Sequence, residues 1–188
     1  LLEQNLDKEK WKYTYQWNGT CYRFRFSNEK IRKFIETYIG TGSSKKHIPY
    51  EILCLPKEQL NSLYQGYLDS DGSKINNIRQ FSSINRSLIY SMSLIVNKLF
   101  KLPTRIYKVK VSPKKIIEGR EVNQKDWYQL RFKTTTSKQD KAFCEGDYIW
   151  YPFKKIVEDK EEHVYNMEIE NDHSYIIQGC NTKNCQDL

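Results

Sequence analysis

The sequence contains no long apolar run and no paired cysteine motif. Its hydrophobic fraction is 38% and its mean hydropathy is -0.78, and no stretch approaches the roughly 20 apolar residues of a membrane-spanning helix. The five cysteines are odd in number and form no Cys-x-x-Cys pair, which argues against a zinc ribbon and a closed disulfide framework. These absences exclude a helical membrane protein and a disulfide-rich secreted domain, and they favour a cytoplasmic, reducing location.

Acidic residues are scarce relative to basic ones. The chain of 188 residues has 31 Lys and Arg against 23 Asp and Glu, which gives a net charge of +8 and a pI near 9.1. This balance indicates a polyanionic partner, most often nucleic acid, although basic proteins without such a partner are common. The length allows one large domain, or one medium domain and one small one.

The Asn18-Gly19 dipeptide predicts a hairpin with a two-residue turn near the N-terminus. That register pairs Tyr13 with Phe24 and Tyr15 with Tyr22 on an aromatic face that we expect to be buried. For a hairpin taken alone, a solvated polar face is the simpler explanation of its other side. The candidate DNA-binding residues on that side are Lys12, Thr14, Arg23 and Arg25.

The same division into an apolar and a basic face recurs in strands predicted at 106–111 and 127–133. A β-ribbon of this kind can enter the major groove of DNA, where Arg and Lys read guanine and Gln reads adenine. The recurrence makes DNA binding and simple solvation about equally good explanations. The candidate DNA-binding residues are Lys108, Lys110, Gln129, Arg131 and Lys133, and we expect them to form one continuous concave surface with the hairpin.

A helix is predicted to start at Pro56 and to end near Gly72. Gly66 costs about 1 kcal/mol in a helix interior, so its presence suggests that another backbone packs closely against it. Asp69 and Asp71 lie at the end where the helix dipole disfavours negative charge. These two carboxylates are candidate metal ligands, although an ordinary polar helix end explains them too.

The end of the sequence places Asn184 directly before Cys185, with His173 eleven residues upstream. The Asn side-chain nitrogen can attack its own backbone carbonyl, which closes a succinimide and releases the amine of Cys185, and the Cys185 thiolate can accept an acyl group. His173 titrates near neutral pH and is the candidate proton donor. Lys183 offers a permanent positive charge beside the reacting carbonyl. The pattern therefore predicts a self-cleaving junction.

Two segments resemble known families. Residues 64–72 resemble the nine-residue motif of LAGLIDADG homing endonucleases, and residues 164–185 resemble the C-terminal splicing motifs of inteins. The resemblance implies an α+β fold, in which an antiparallel β-sheet saddle with packed helices precedes the last strands of an all-β splicing (Hint) domain. In the endonuclease motif Asp71 matches the acid that holds Mg²⁺ and Gly66 matches the glycine at which two motif helices pack. No cofactor is implied for splicing.

The resemblance also implies a domain order and partners. Residues 1–140 would belong to the endonuclease, 141–184 to the splicing domain and 185–188 to the host protein, or extein. The sequence has one LAGLIDADG match and no Thr-x-x-His motif. The expected partners are therefore double-stranded DNA and an N-terminal intein portion, in the same precursor or on a separate chain, that supplies the first nucleophile and the first motif.

Lys183 stands where inteins usually carry His, so the Asn chemistry is expected to depend more on His173. The alternative interpretation is a DNA-binding module, or a degenerate LAGLIDADG protein, without splicing or cleavage activity. In the splicing portion we predict strands at 147–152, 154–157, 164–169 and 174–177.

Overall fold

The computed structural model describes residues 13–20, 22–111, 114–117, 119–135, 141–160, 163, 169, 174–177 and 180–183. These residues form an α+β fold in which all strand pairs are antiparallel. Within the described part of the chain, no helix combines the length and apolar character required to cross a bilayer. The coarse fold class predicted from the sequence is confirmed.

The helices and strands follow one another as short segments. The first half contains β1 (Tyr13–Trp17), β2 (Tyr22–Phe26), α1 (Glu29–Phe34) with a π-helical continuation (Ile35–Ile39), α2 (Tyr50–Leu53), α3 (Lys57–Ser70), β3 (Gly72–Ile75), β4 (Ile78–Ser83) and α4 (Arg86–Phe100). The second half contains β5 (Thr104–Val109), β6 (Lys114–Ile117), β7 (Arg120–Asn123), β8 (Trp127–Lys133), β9 (Phe143–Glu145), β10 (Tyr148–Trp150), β11 (Ser174–Ile177) and β12 (Cys180–Lys183).

The core lies between one face of a four-stranded sheet and two helices. The strand order is β3-β4-β8-β5. Because side chains alternate between the faces of a strand, Phe81, Leu130 and Phe132 point to the same side, where they join the buried cluster that includes Leu60 of α3 and Ile89 of α4. Each such side chain contributes about 1.5–3 kcal/mol when fully buried.

Helix α3 has the start and the end that its sequence predicts. Pro56 is its N-cap, and Leu60, Tyr64 and Leu68 are its buried residues. At the other end Gly72 opens β3, and a Cβ there would lie 2.5 Å from the carbonyl oxygen of Leu68. Only glycine fits this close approach, which lets the chain turn directly from the helix into the sheet.

Helix α4 has a defined cap at each end. The Asn85 side chain caps its start by accepting the N–H groups of Ser87 at 2.8 Å and Leu88 at 3.3 Å. Its end is Lys101, which adopts a left-handed φ of 52° and donates its N–H to the Asn97 carbonyl. Capped at both ends, the helix buries the apolar face that the sequence predicts along the sheet.

Residues 141–151 dock at the edge strand β5. The Thr104 N–H donates to the Tyr151 hydroxyl at 2.9 Å, and the Thr104 hydroxyl lies 2.6 Å from that of Ser93 on α4. Lys101 donates to the Gly146 carbonyl at 3.1 Å and to Asp147 at 2.7 Å. The β9–β10 hairpin is thereby held against the sheet.

The strand predictions for the C-terminal part have mixed outcomes. The strand at 174–177 is confirmed as β11, and the one at 147–152 is observed in part as β10. The strand predicted at 154–157 is wrong: that segment has no strand pairing, and Phe153 and Ile156 beside and within it are 92% and 90% exposed. Except for Ile169, the strand predicted at 164–169 lies outside the described residues.

The N-terminal hairpin forms in a different register from the predicted one. Tyr13 pairs with Phe26 and Trp17 with Tyr22, so the loop has four residues, 18–21. The Thr20 N–H donates to the Asn18 side chain at 3.2 Å, which favours this wider turn. A shift of two residues leaves each side chain on its predicted face. The predicted pairings of Tyr13 with Phe24 and of Tyr15 with Tyr22 are therefore wrong.

The predicted burial of the aromatic face is also wrong for the described side chains. Tyr15, Trp17 and Tyr22 are 56%, 53% and 61% exposed. The physical reason is the topology: β1 and β2 form a separate two-stranded sheet outside the buried cluster. The hairpin is therefore not an extension of the four-stranded sheet, and the predicted continuous concave sheet is wrong.

Candidate nucleic-acid interface

The sheet face opposite the helices is polar and basic at its centre. Gln80 of β4 pairs with Arg131 of β8, which pairs on its other side with Arg105 of β5. Two residues along β8, the next row on this face contains Gln129, which pairs with Ser82 of β4 on one side and with Tyr107 of β5 on the other. We call this surface the open face. It consists of Ser73, Gln80, Ser82, Arg105, Tyr107, Gln129, Arg131 and Lys133, with the apolar residues Ile75, Ile78, Val109 and Trp127 near the ends of the strands.

The open face carries a recess with a cationic lining. Arg105, Arg131, Lys133 and Tyr107 line a cavity of about 370 Å³ together with Ile78, Pro103, Phe132, Thr135 and Ala142. In the described part of the chain, neither Arg105 nor Arg131 forms an ion pair with a carboxylate. Their positive charge is thus presented to solvent rather than neutralised within the fold, as a polyanion-binding surface requires.

The predicted interface residues of β8 lie together on the open face, whereas those of β5 do not. Lys108 pairs with Tyr128 and lies on the helix side of the sheet, so its predicted place beside Arg131 is wrong. Thr104 and Ile106 pair with the inward residues Phe132 and Leu130, so alternate residues of β5 starting at Thr104 face the helices. Lys110 follows the end of β5 and is exposed.

Lys108 instead belongs to a small polar cluster at the end of the sheet. It forms an ion pair with Asp126 at 3.3 Å, and the Val111 N–H donates to the same carboxylate at 3.2 Å. The backbone N–H and then the Lys108 ammonium lower the pKa of Asp126. Lys108 therefore has a local partner that the two open-face arginines lack.

The predicted residues of the hairpin lie apart from the open face. Thr14 pairs with Arg25 and Gln16 with Arg23, so these four share one face of the two-stranded sheet. Lys12 lies outside the described residues. The hairpin is a second basic surface and not part of the same sheet.

The carboxylates at the end of α3 have different surroundings. Asp69 accepts from Lys74 at 3.0 Å in an exposed ion pair, whereas Asp71, the C-cap residue, has no ion pair with a described cation. Burial, and secondarily the Asp71 charge, raise the pKa of Tyr67 to about 12. Of the two predicted metal ligands, Asp71 has the freer carboxylate.

The side chains at this helix end limit the kind of metal site that can form there. Among the described residues there is no group of three His, Cys, Asp or Glu side chains that could hold an ion. Mg²⁺ is commonly bound by one or two carboxylates together with phosphate oxygens and water. One free carboxylate therefore fits a shared site, completed by other ligands, and does not fit a closed site of its own.

Gly66 is open to solvent on the same helix. A Cβ at this position would meet no atom within 4 Å. The backbone predicted to pack against Gly66 is therefore not found within the described part of the chain, and this part of α3 is available to another molecule or segment.

The predicted self-cleaving junction falls largely on residues that the structure does not describe. Asn184, Cys185 and His173 lie outside the described residues, and for Lys183 only the backbone is described. Lys183 ends β12 and pairs with Ser174 at the start of β11. The described hairpin thus pairs the residue that follows His173 with the residue that precedes Asn184.

Gln80, Ser82, Arg105 and Tyr107 of the open face were not predicted from the sequence. A signal for the first two was present: the residues Ile75-Asn76-Asn77-Ile78 form a tight hairpin in which Asn76 has a φ of 51°, and Asn tolerates this conformation. Recognising that turn would have predicted β3 and β4. For Arg105 no equivalent signal existed, because its face follows from the register of β5 against β8.

No protein-family model matches the chain. An iron-sulfur cluster assembly SufBD family protein of Mycobacterium tuberculosis is 28% identical over 152 residues, which cover 78% of this chain and 18% of that protein. A SufBD family protein of Mycobacterium bovis gives the same values. The ATP-dependent DNA helicase Hel308 of Thermococcus kodakarensis is 26% identical over 181 residues, which cover 81% of this chain and 15% of the helicase. The chain thus spans less than a fifth of the length of these relatives.

Proposed function

We propose that this chain is the C-terminal portion of a protein-splicing element with an associated LAGLIDADG-type DNA endonuclease, and that its open face binds double-stranded DNA. The observation that carries the DNA-binding part is the sheet itself. One face packs on α3 and α4, and the other presents Arg105, Arg131 and Lys133 around one recess.

The pattern of sequence similarity supports a mobile element. An iron-sulfur assembly protein and a DNA helicase have different printed functions, yet each matches most of this chain along less than a fifth of its own length. A segment that inserts into unrelated hosts gives this pattern, because the similarity stops where the host sequence starts. An intein is such a segment, and the order of the C-terminal motifs agrees with one.

Electrostatics favour DNA as the ligand of the open face. Duplex DNA carries one negative charge per about 1.7 Å of axis, and each phosphate that a protein neutralises releases counterions, so affinity falls with salt. The experiment is binding of the 188-residue chain to random-sequence duplex over a range of salt concentrations. A flat binding curve would contradict the proposal.

Two lysine variants locate the contact. Lys133→Ala removes a cation from the recess on the open face, and we expect the salt slope to fall by about one unit. Lys108→Ala is the matched control, because Lys108 lies on the opposite face and is paired with Asp126. An equal effect of both variants would contradict binding through the open face.

For DNA cleavage, Asp71 is the proposed metal-holding residue. Its carboxylate lies at the end of α3, and the open surface at Gly66 is suited to packing against a second motif helix that brings a second carboxylate. Mg²⁺ bound there would supply Lewis-acid stabilisation of the phosphate and activation of water. In the protein reconstituted with its N-terminal portion, we expect Asp71→Asn to abolish Mg²⁺-dependent nicking and to spare DNA binding. Unchanged nicking would make Asp71 an ordinary helix-end residue.

For splicing, Asn184, Cys185 and His173 are the proposed catalytic residues, with Lys183 as an electrostatic aid. In the described hairpin Ser174, the residue after His173, pairs with Lys183, the residue before Asn184. In the complemented protein we expect Asn184→Ala to block release of the segment that begins at Cys185, and His173→Ala to slow release by about 10²-fold. We expect Lys183→His to leave release equal or faster. Mass spectrometry over time measures this, and release from the Asn184→Ala protein would refute the intein assignment.

A further inference from the structure

The open face places two arginines directly opposite one another, and the packing of the fold gives no reason for this pairing of like charges. Arg105 and Arg131 lie directly opposite one another on β5 and β8, and both side chains are exposed. Like charges at directly opposed positions destabilise an antiparallel pair. A local rule broken without a compensating partner points to function, and no described carboxylate compensates either charge.

The arginine pair belongs to a row that crosses three strands. Gln80 lies on the other side of Arg131, so the order across the sheet is Gln80, Arg131, Arg105. With adjacent strands about 4.8 Å apart, the row spans roughly 10 Å, which is close to the width of about 12 Å of the DNA major groove. A row of this length is therefore short enough to enter the major groove and to reach the exposed edges of neighbouring base pairs.

The residue types in this row are those that recognise purines. The planar guanidinium group donates two parallel hydrogen bonds to O6 and N7 of guanine, and a carboxamide matches N6 and N7 of adenine. Lysine, the usual residue for simple phosphate attraction, lies beside the row at Lys133, which pairs with Ile78 at the end of β8. The same recess thus contains an ammonium group suited to the phosphate backbone and two guanidinium groups that can each form paired hydrogen bonds with a base.

We propose that Arg105 and Arg131 are specificity-determining residues that read two guanines within about two base pairs of one another, since neighbouring strands are only slightly farther apart than the rise of about 3.4 Å between base pairs. Gln80 reads an adenine beside them. The inference rests on the proposed binding of duplex DNA by the open face. It goes further by assigning the base preference of the bound site to three side chains.

The test begins with selection of duplexes from a randomised pool by the 188-residue chain. We expect the enriched sequences to share two G·C pairs at neighbouring positions. Arg131→Ala and Arg105→Ala should each remove the preference at one of these positions, with a loss of about 5- to 150-fold on the selected duplex and little change on random duplex. Arg131→Lys keeps the charge but replaces the planar guanidinium group by a single ammonium, so it should weaken the guanine preference and keep the salt dependence.

Lys108→Ala, on the other face, is the control and should retain the full preference. Enrichment without neighbouring G·C pairs, or arginine variants that weaken all duplexes equally, would overturn the inference and leave the proposed DNA binding in place. An Arg131→Lys protein with an unchanged base preference would also overturn it. If the unchanged chain bound no duplex in a salt-dependent way, the proposed DNA binding and the inference would both fail.

Discussion

Replacing Gly72 by alanine tests whether the junction between α3 and β3 is as tight as the structure indicates. A Cβ at this position would lie 2.5 Å from the carbonyl oxygen of Leu68, 2.6 Å from its Cα and 2.7 Å from its Cδ1. Two of these three atoms belong to the backbone, so no side-chain rotation removes the clash. Leu68 is itself buried in the core, and the strain is therefore transmitted to the packing of α3 on the sheet.

The expected cost follows from this geometry. Overpacking of a well-packed site typically costs about 1–3 kcal/mol, and the gain from restricting the unfolded chain offsets about 0.4–1 kcal/mol of it. Because the clash is with backbone, we expect a net loss of about 2 kcal/mol in the free energy of unfolding. For a chain of this size each kcal/mol lowers Tm by about 2–4 °C, so Tm should fall by roughly 4–8 °C.

Gly66→Ala is the matched control on the same helix. A Cβ there meets no atom within 4 Å, so alanine should stabilise the helix interior by about 0.5–1 kcal/mol. Urea denaturation followed by circular dichroism measures both variants. If Gly72→Ala were as stable as the unchanged chain, or if Gly66→Ala were the more damaging of the two, the described packing of α3 would be wrong.

Three further predictions concern groups around the sheet. Tyr151→Phe leaves the N–H of buried Thr104 without its 2.9 Å acceptor. We therefore expect the free energy of unfolding to fall by about 1–3 kcal/mol and hydrogen exchange at the Thr104 amide to become faster. Unchanged exchange would contradict the docking of residues 141–151. Lys108→Ala should raise the pKa of Asp126 only part of the way to its ordinary value, because the Val111 N–H, the largest single cause of its lowering, remains in place. Because the pKa of Asp126 is lowered, its carboxylate stabilises the fold above the ordinary value of 3.8, and this contribution is lost as pH falls through the lowered pKa. An NMR titration of Asp126 measures its pKa in both proteins. A return of the pKa to its ordinary value in the Lys108→Ala variant would refute the role of the Val111 N–H. Asp71→Asn should lower the pKa of Tyr67 only slightly from about 12, because burial is the larger cause; a return to 10 by ultraviolet titration would show that the charge dominates.

The helices were predictable because their signals are local and strong. Pro56, the apolar spacing of α3 and Gly72 fix the two ends of this helix within a few residues. The parity of β8 was equally clear, since Leu130 and Phe132 are apolar and buried, so Gln129 and Arg131 had to face away from the core.

The face of β5 was not predictable from its own sequence. It is an edge strand, and Tyr107 on its open side is half-exposed while Lys108 on the helix side reaches Asp126. Near a sheet edge both faces approach water, so hydropathy does not distinguish them. A one-residue error in parity moves every side chain to the wrong face. The opposed arginines therefore emerge only from the pairing of β5 with β8.

The most direct test of DNA binding by the open face is an NMR map of the chain with and without duplex DNA. The side-chain amides of Gln80 and Gln129 and the guanidinium signals of Arg105 and Arg131 should shift on titration. Signals of α4 and of the Lys108–Asp126 pair, on the other side of the sheet, should stay in place. Shifts confined to the helix side, or to the hairpin residues Arg23 and Arg25 alone, would contradict DNA binding through this face.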